Sequence, residues 1–326
     1  MIILRFIILG LLLGTPLSSQ EKKVLICGVG RNIQHALSYD IQNMEALGAY
    51  FDDYAIIIYE NNSLDNTQAI LAEWAQRNSQ VTLVSEILNE NQLPPSRTEK
   101  IARARNRILS LARDPKFKDF KYLIMVDLDF HFIWPYEEIL KSIESPFEWD
   151  CICANGIESD GIYYDRFAYR DQKAPFGPEL LGDLYWKDQR LSSPFSLIGS
   201  TEWIPVYSAF GGLAIFKTES VLKFSYSGIV TQDLKKYYQK ILLEVSQFDP
   251  TFQLDRYLLL QAHQLIHPVD ISKVPILFQQ HSRWESPNHR ARNIVCCEHI
   301  PLLASMALNG FGKIFINPQL VLRAYR

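Results

Sequence analysis

An α/β fold is predicted, a mostly parallel sheet with helices on both faces and an irregular second half. Three observations predict it. Four short apolar runs, KVLICGVG, YAIIIY, VTLVSE and YLIMV, carry the β-branched and aromatic residues that suit strands. Amphipathic helical stretches separate them, and strands alternating with helices build a parallel sheet covered on two sides. Beyond about residue 150 the alternation stops, and a Gly-, Pro-, Asp-, Tyr- and Trp-rich stretch over 156–210 reads as long loops packed over the sheet edge.

The first run, at about 22–32, ends in a glycine turn. The helix after it has apolar positions Ile33, Ala36, Leu37, Ile41, Met44 and Leu47, close to a 3.6-residue period. A second strand follows at 54–59, a helix at about 64–77, a third strand at 81–86, a basic helix at 97–113 and a fourth strand at 122–126. GGLAIFK, at 211–217, reads as a glycine pair entering a strand. Helical patterns return near 232–246 and 252–265. The final segment reads as a helix, a glycine turn and a short strand ending at Asn317-Pro318. No repeat or linker interrupts 22–326, which is taken as one domain with halves 22–150 and 151–326.

Bulk composition sets limits. The chain has 326 residues, 48% hydrophobic and 21% charged, enough for a large core. A net charge of −3 gives no electrostatic footprint for nucleic acid. The cysteines are Cys27, Cys151, Cys153, Cys296 and Cys297; an odd number without a CxxC pair argues against zinc and for buried thiols, with one or two disulfides open in an oxidising compartment. Residues 1–21, MIILRFIILGLLLGTPLSSQE, are set apart as a signal peptide or a short membrane anchor.

A doubly covered parallel sheet binds its ligand at the carboxyl ends of its strands. Two of those ends carry acids. Strand two stops at Glu60 in AIIIYENNSLDNT, where Glu60, Asn61 and Asn62 offer acceptors and donors to a flat heterocycle and its ribose. Ser63 or Asp65 can cap the next helix. Strand four stops at Asp127-Leu128-Asp129. Two carboxylates two residues apart on a pleated strand face the same way and can hold one divalent cation, leaving positions open for phosphate oxygens. In the basic helix, Arg103 and Arg107 form one stripe. Arg105 lies on a different face, where it can pair with a phosphate or with Glu60. Gly28-Val29-Gly30 lacks the third glycine of a dinucleotide fingerprint and is read as a tight turn.

This order, YENNSLDNT before a helix, ARARN within one, then YLIMVDLDF, resembles the nucleotide-binding half of a GT-A glycosyltransferase, with its Rossmann-like sheet. PVYSAFGGLAIF, the segment Cys296-Cys297-Glu298-His299 and Ile316-Asn317-Pro318 resemble the fungal capsule-associated mannosyltransferases, glycosyltransferase family 69. The resemblance covers roughly 23–322 in patches. Glu298-His299 follow the cysteine pair directly, a shorter spacing than the family pattern. The resemblance implies sugar transfer from a nucleoside-diphosphate sugar, with mannose and retention favoured, to a glycan or other hydroxyl acceptor. It implies nucleoside contacts from Glu60 and Asn62, with Asp65 beside them, and a donor contact from Arg105. Asp127 and Asp129 would serve Mn2+ or Mg2+ and the diphosphate. Gly211 and Gly212 would admit the sugar or acceptor, and His299 would be a late metal ligand, with His281 its rival. If the outcome were inversion, Glu202, Asp249, Asp255 or Glu298 could be the base.

Two other functions fit the same residues: a metal-dependent nucleotidyltransferase, and a glycan-binding protein that kept the fold without catalysis. The N-terminus points to a secretory, Golgi-like lumen or to membrane attachment. The sequon Asn61-Asn62-Ser63, which would put a glycan in the donor site in the secretory route, keeps attachment with the body facing the cytoplasm open as the alternative.

Overall fold

The computed structural model describes residues 21–129, 133–181, 193–248 and 295–323. The four predicted strands are β1 (Lys23–Gly30), β2 (Asp53–Asn61), β3 (Val81–Glu86) and β4 (Tyr122–Asp127). Between them lie α1 (Leu37–Gly48), α2 (Thr67–Arg77) and α3 (Arg97–Ala112). After β4 come α4 (Tyr136–Ile143), β5 (Cys151–Ile157), the single turn α5 (Pro178–Leu181), β6 (Ile204–Pro205) and β7 (Leu213–Lys217). The chain continues through α6 (Thr218–Val221), α7 (Gln232–Phe248), α8 (His299–Leu308) and β8 (Ile314–Arg323).

The strands form one sheet in the order β3-β2-β1-β4-β7-β5-β8-β6. The β3-β2-β1-β4 ladder and the β5-β8 pair are parallel; β7 runs antiparallel to both β4 and β5, and β6 antiparallel to β8. The mostly parallel sheet is therefore as predicted. Three of its strands depart from the sequence reading, the first being the short β6 within the stretch read as loops. CICANGI is a fully buried strand where the regularity fades. The last strand does not stop at Asn317-Pro318 but runs on to Arg323. A register shift between Ala154 and Asn155 absorbs the proline, and Asn155 Nδ2 donates to the Pro318 carbonyl at 3.0 Å.

Each face of the sheet has its own core. Ile26, Ile56, Ile58, Ile124 and Val126 pack with Leu37, Met44 and Leu47 of α1, Leu71 and Trp74 of α2 and Ile139 of α4. Cys27, Ile57, Tyr59 and Met125 pack on the other side with Ala102, Ile108 and Leu109 of α3 and Leu302, Leu303 and Met306 of α8. All five cysteines are buried free thiols, with Cys151 and Cys153 neighbours on one face of β5, their sulfurs 3.7 Å apart. Among the described residues no helix is long and apolar enough to cross a membrane; residues 1–20, Asp249, Asp255, His281 and the helix expected at 252–265 lie outside them.

The loops after β1 and β2 are laced together. Asn32, in the left-handed region at φ 55°, donates its N–H to Ser63 Oγ and accepts the Leu64 N–H on its side-chain oxygen. Thr67 Oγ1 accepts the Ile33 N–H at 2.8 Å, and Asp65 accepts those of Gln34 and Thr67. The helical pattern that begins at Leu64 in sequence therefore starts only at Thr67, because the preceding polar residues bond across to the neighbouring loop.

Candidate functional site

β2, β1 and β4 are adjacent and parallel, so Glu60 and Asp127 share one edge of the sheet, a single strand apart. Glu60 pairs in register with Gly30, whereas Asp127 pairs with Val29. That offset of one position turns the two side chains to opposite faces. Glu60, 1% exposed, accepts the Ser63 N–H at 2.8 Å and the Ser85 hydroxyl. Asn62, also left-handed at φ 53°, donates to the Leu88 carbonyl and accepts its N–H, which pins the loop after β3. Asp65 is held below the usual carboxylate range by the Thr67 hydroxyl and nearby N–H groups. Glu60, Asn62 and Asp65 thus build the turn rather than project free groups from it.

Asp127 faces α3. Arg105, 3% exposed, reaches its carboxylate at 2.8 Å and that of Glu298, at the start of α8, at 3.4 Å. Its partner is therefore not Glu60, which lies on the other side of the sheet. Burial opposes the guanidinium's charge, but the Glu298 and Asp127 carboxylates hold its pKa above the ordinary value. Phe210 lies 4.5 Å and Tyr226 5.6 Å from the guanidinium carbon, placing the cation among aromatic rings. Arg105 also donates to His299 Nε2. Burial and the adjacent cation push His299 well below its ordinary pKa, so the ring is neutral with its proton on Nδ1, and it stacks on Phe210 at 3.9 Å. Occupied by Arg105, Nε2 is not presented to a cation. Arg103 and Arg107 also have partners: Arg103 bonds Tyr59 and Glu86, and Arg107 bonds Glu86.

Leu128 anchors the acidic pair. It is buried, and a Cβ on Gly28 would lie 2.7 Å from its side chain, which explains a glycine at that point of GVG. Asp127 and Asp129 flank it. Removal from water and the neighbouring charges of Asp129, Glu298 and Asp165 push Asp127 up to about 7, against the pull of Arg105. On the opposite side, α1 buries Asp40, whose two oxygens have no hydrogen-bond partner among the described residues; burial and the charges of Asp129 and Asp127 push it up to about 8. Neither Asp40 nor Asp165 stood out in the sequence. Asp40 falls among the apolar positions of α1, and Asp165 in a stretch without periodicity.

The concentration of negative charge around Asp127 and Asp129, with orphaned oxygens behind it, is what a divalent cation would relieve. The two aspartates fit such an ion; His299 Nε2 is engaged by Arg105. Among the described residues no group of three His, Cys, Asp or Glu side chains is already arranged to hold a metal. Gly211 and Gly212, both at positive φ, precede β7 at the same edge. Gly212 accepts the Asp127 N–H at 2.9 Å, and a Cβ on Gly211 would stand 2.1 Å from the Ala154 carbonyl oxygen. The glycine thus admits the chain's own β5 backbone. Gly211→Ala is expected to destabilise the fold by at least about 1–3 kcal/mol from strain alone, read as a lower urea midpoint.

A family model described as cryptococcal mannosyltransferase 1 matches residues 24–257. The chain belongs to this family. The matched span of this mannosyltransferase-family chain holds Asp127, Asp129, Arg105 and the glycine pair, and ends before Glu298 and His299. No curated protein matches the chain. Among solved structures it is similar to the mannosyltransferase PcManGT from Pyrobaculum calidifontis in complex with GDP-Man and Mn2+, at 14% identity over 64% of this chain and 48% of that one, TM-score 0.38. It is also similar to S. aureus TarS 1–349, at 13% identity over 63% and 50%, TM-score 0.35. A third is glucosyl-3-phosphoglycerate synthase from Mycobacterium tuberculosis with UDP, at 11% identity over 62% and 58%, TM-score 0.33. The chain spans about half the length of the first two and somewhat more of the third.

Proposed function

We propose that this chain is a metal-dependent glycosyltransferase that moves mannose, with retention, from a nucleoside-diphosphate sugar to a hydroxyl of a glycan or other glycoconjugate. Family membership supports the sugar and the reaction class. The observation that carries the reading is the placement of Asp127-Leu128-Asp129 at the carboxyl end of a central strand, clamped by a buried arginine and crowded by further carboxylates.

Asp127 and Asp129 would hold Mn2+ or Mg2+, and the cation supplies positive charge where the diphosphate leaves. The chain's own residues set the stage for that ion. Arg105 fixes the orientation of the Asp127 carboxylate through Nη2 and is itself fixed by Glu298, His299 and the two aromatic rings. The laced loops give the nucleoside a rigid rim: Glu60, Asn62 and Asp65 serve the donor by shaping this rim rather than with spare hydrogen-bonding groups. In transfer with retention, the acceptor oxygen bonds to the anomeric carbon on the face the diphosphate leaves, the bond from that carbon to the diphosphate oxygen breaks with its electron pair going to the diphosphate, and the acceptor hydroxyl's proton passes to the departing diphosphate. Residues 1–21 would attach the enzyme to a membrane.

The test uses the full-length protein and a set of nucleotide sugars. Slow hydrolysis of one of them in Mn2+ is expected, lost on adding EDTA and restored by excess Mn2+. Undiminished hydrolysis in EDTA would remove the metal from the proposal. Pyrophosphate release from a nucleoside triphosphate and a sugar phosphate would instead indicate nucleotidyl transfer.

A further inference from the structure

Asp165 lies on the loop after β5, outside every motif used so far. Its Oδ2 accepts the Gly211 N–H at 3.1 Å, and the next residue, Gly212, accepts the N–H of Asp127. One glycine pair therefore ties Asp165 to the end of β4. The strand order fixes where this carboxylate stands. β3, β2 and β1 lie to one side of β4; β7 and β5 lie to the other. Adjacent strands are about 4.8 Å apart. A donor with its nucleoside over β1–β3 and its diphosphate at Asp127 must extend its sugar across β7 toward Asp165.

The charge around Asp165 selects what can sit there. Glu298 and Asp127 are near enough to be felt, and with burial they work against its ionisation, pushing it up to about 7 despite the Gly211 and Ala168 N–H groups and Arg105. A phosphate would meet carboxylates on several sides. A neutral molecule rich in hydroxyls would not, and a carboxylate engaged by two backbone N–H groups still has lone pairs for about two O–H donors. We propose that Asp165 binds hydroxyl groups of the donor's sugar and so takes part in choosing which sugar is transferred. This assignment rests on the donor reading given above.

Asp165→Asn keeps an oxygen for the Gly211 N–H while removing the charge, so the glycine turn is preserved. Calorimetric titration of the full-length protein in Mn2+ would compare GDP with GDP-mannose. The variant is expected to bind GDP as wild type does, and GDP-mannose roughly 10- to 100-fold more weakly, the usual loss for a hydrogen bond to a charged group. Equal weakening for both ligands would place Asp165 at the diphosphate or in the fold, and no weakening of either would leave it without a ligand; both results overturn the assignment. A wild-type protein that binds neither these nor any other nucleoside diphosphate or its sugar would overturn the donor reading itself, and this assignment with it. A melting temperature matching wild type would show that the variant is folded.

Discussion

Asp129→Ala and Asp127→Asn are each expected to reduce sugar transfer by at least about 10²–10³-fold, the loss typical when a group stabilising the leaving charge is removed. The two differ in what else they disturb. Asp129 is exposed, so its removal leaves packing intact and should not lower the melting temperature. Asp127→Asn keeps the shape of the side chain, including an oxygen facing Arg105, and removes one negative charge that Asp129, Glu298 and Asp165 repel and that itself disfavours ionised Asp40. Arg105 keeps Glu298 as its counter-ion. Stability should therefore hold or rise while activity disappears, as is common where a site holds like charges together for function. Thermal melting in EDTA alongside transfer assays in Mn2+ checks both halves. A variant that lost activity only in proportion to lost folded protein would contradict the catalytic role.

The second large effect lies away from the carboxylates. Arg170→Met is expected to destabilise the protein by about 3–5 kcal/mol, the cost of leaving one member of a buried ion pair unpaired. Arg170 and Glu179 are both buried and meet through two hydrogen bonds, at 3.1 and 2.6 Å, with the Tyr238 hydroxyl on the same carboxylate. Without the guanidinium, Glu179 keeps, among the described residues, the Tyr238 hydroxyl and the Gly177 N–H, at 3.2 Å. Pairing Arg170→Met with Glu179→Gln removes the orphaned charge and should recover much of the loss, a coupling that urea denaturation of the four proteins in the cycle measures. The Arg170 backbone also pairs with Ser208, two residues before Phe210. Loosening this pair should therefore lower transfer as well as stability.

Much of the first half was legible in sequence because each strand there is a compact apolar run and each helix keeps its period. The acids at the ends of β2 and β4 could be located, but not the direction in which they point. A shift of one residue in register sends Glu60 and Asp127 to different faces, and register depends on neighbours that a single strand does not reveal. For the same reason Arg105 could be assigned to an anion but not to the right one. In the second half, CICANGI interrupts its apolar run with Asn and Gly, and INPQLVL carries a proline. They pair with each other through a bulge, with β7 on the far side of β5 and β6 on the far side of β8, so both strands depend on partners distant in the chain. Asp165 becomes visible only when the loop carrying it is brought beside Gly211.

The reversal of β7 has a bearing on how the chain reaches its native state. Its place between β4 and β5 can be filled only after residue 217 has been made, and β5 gains its other neighbour only when β8, about 160 residues further on, is complete. Until then the central strands present unsatisfied backbone groups to solvent and to one another. Such distant pairings close slowly, and open strand edges invite association between copies. During synthesis the nascent protein should therefore depend on chaperones more than its large core suggests, and refolding in vitro should be slow and sensitive to protein concentration.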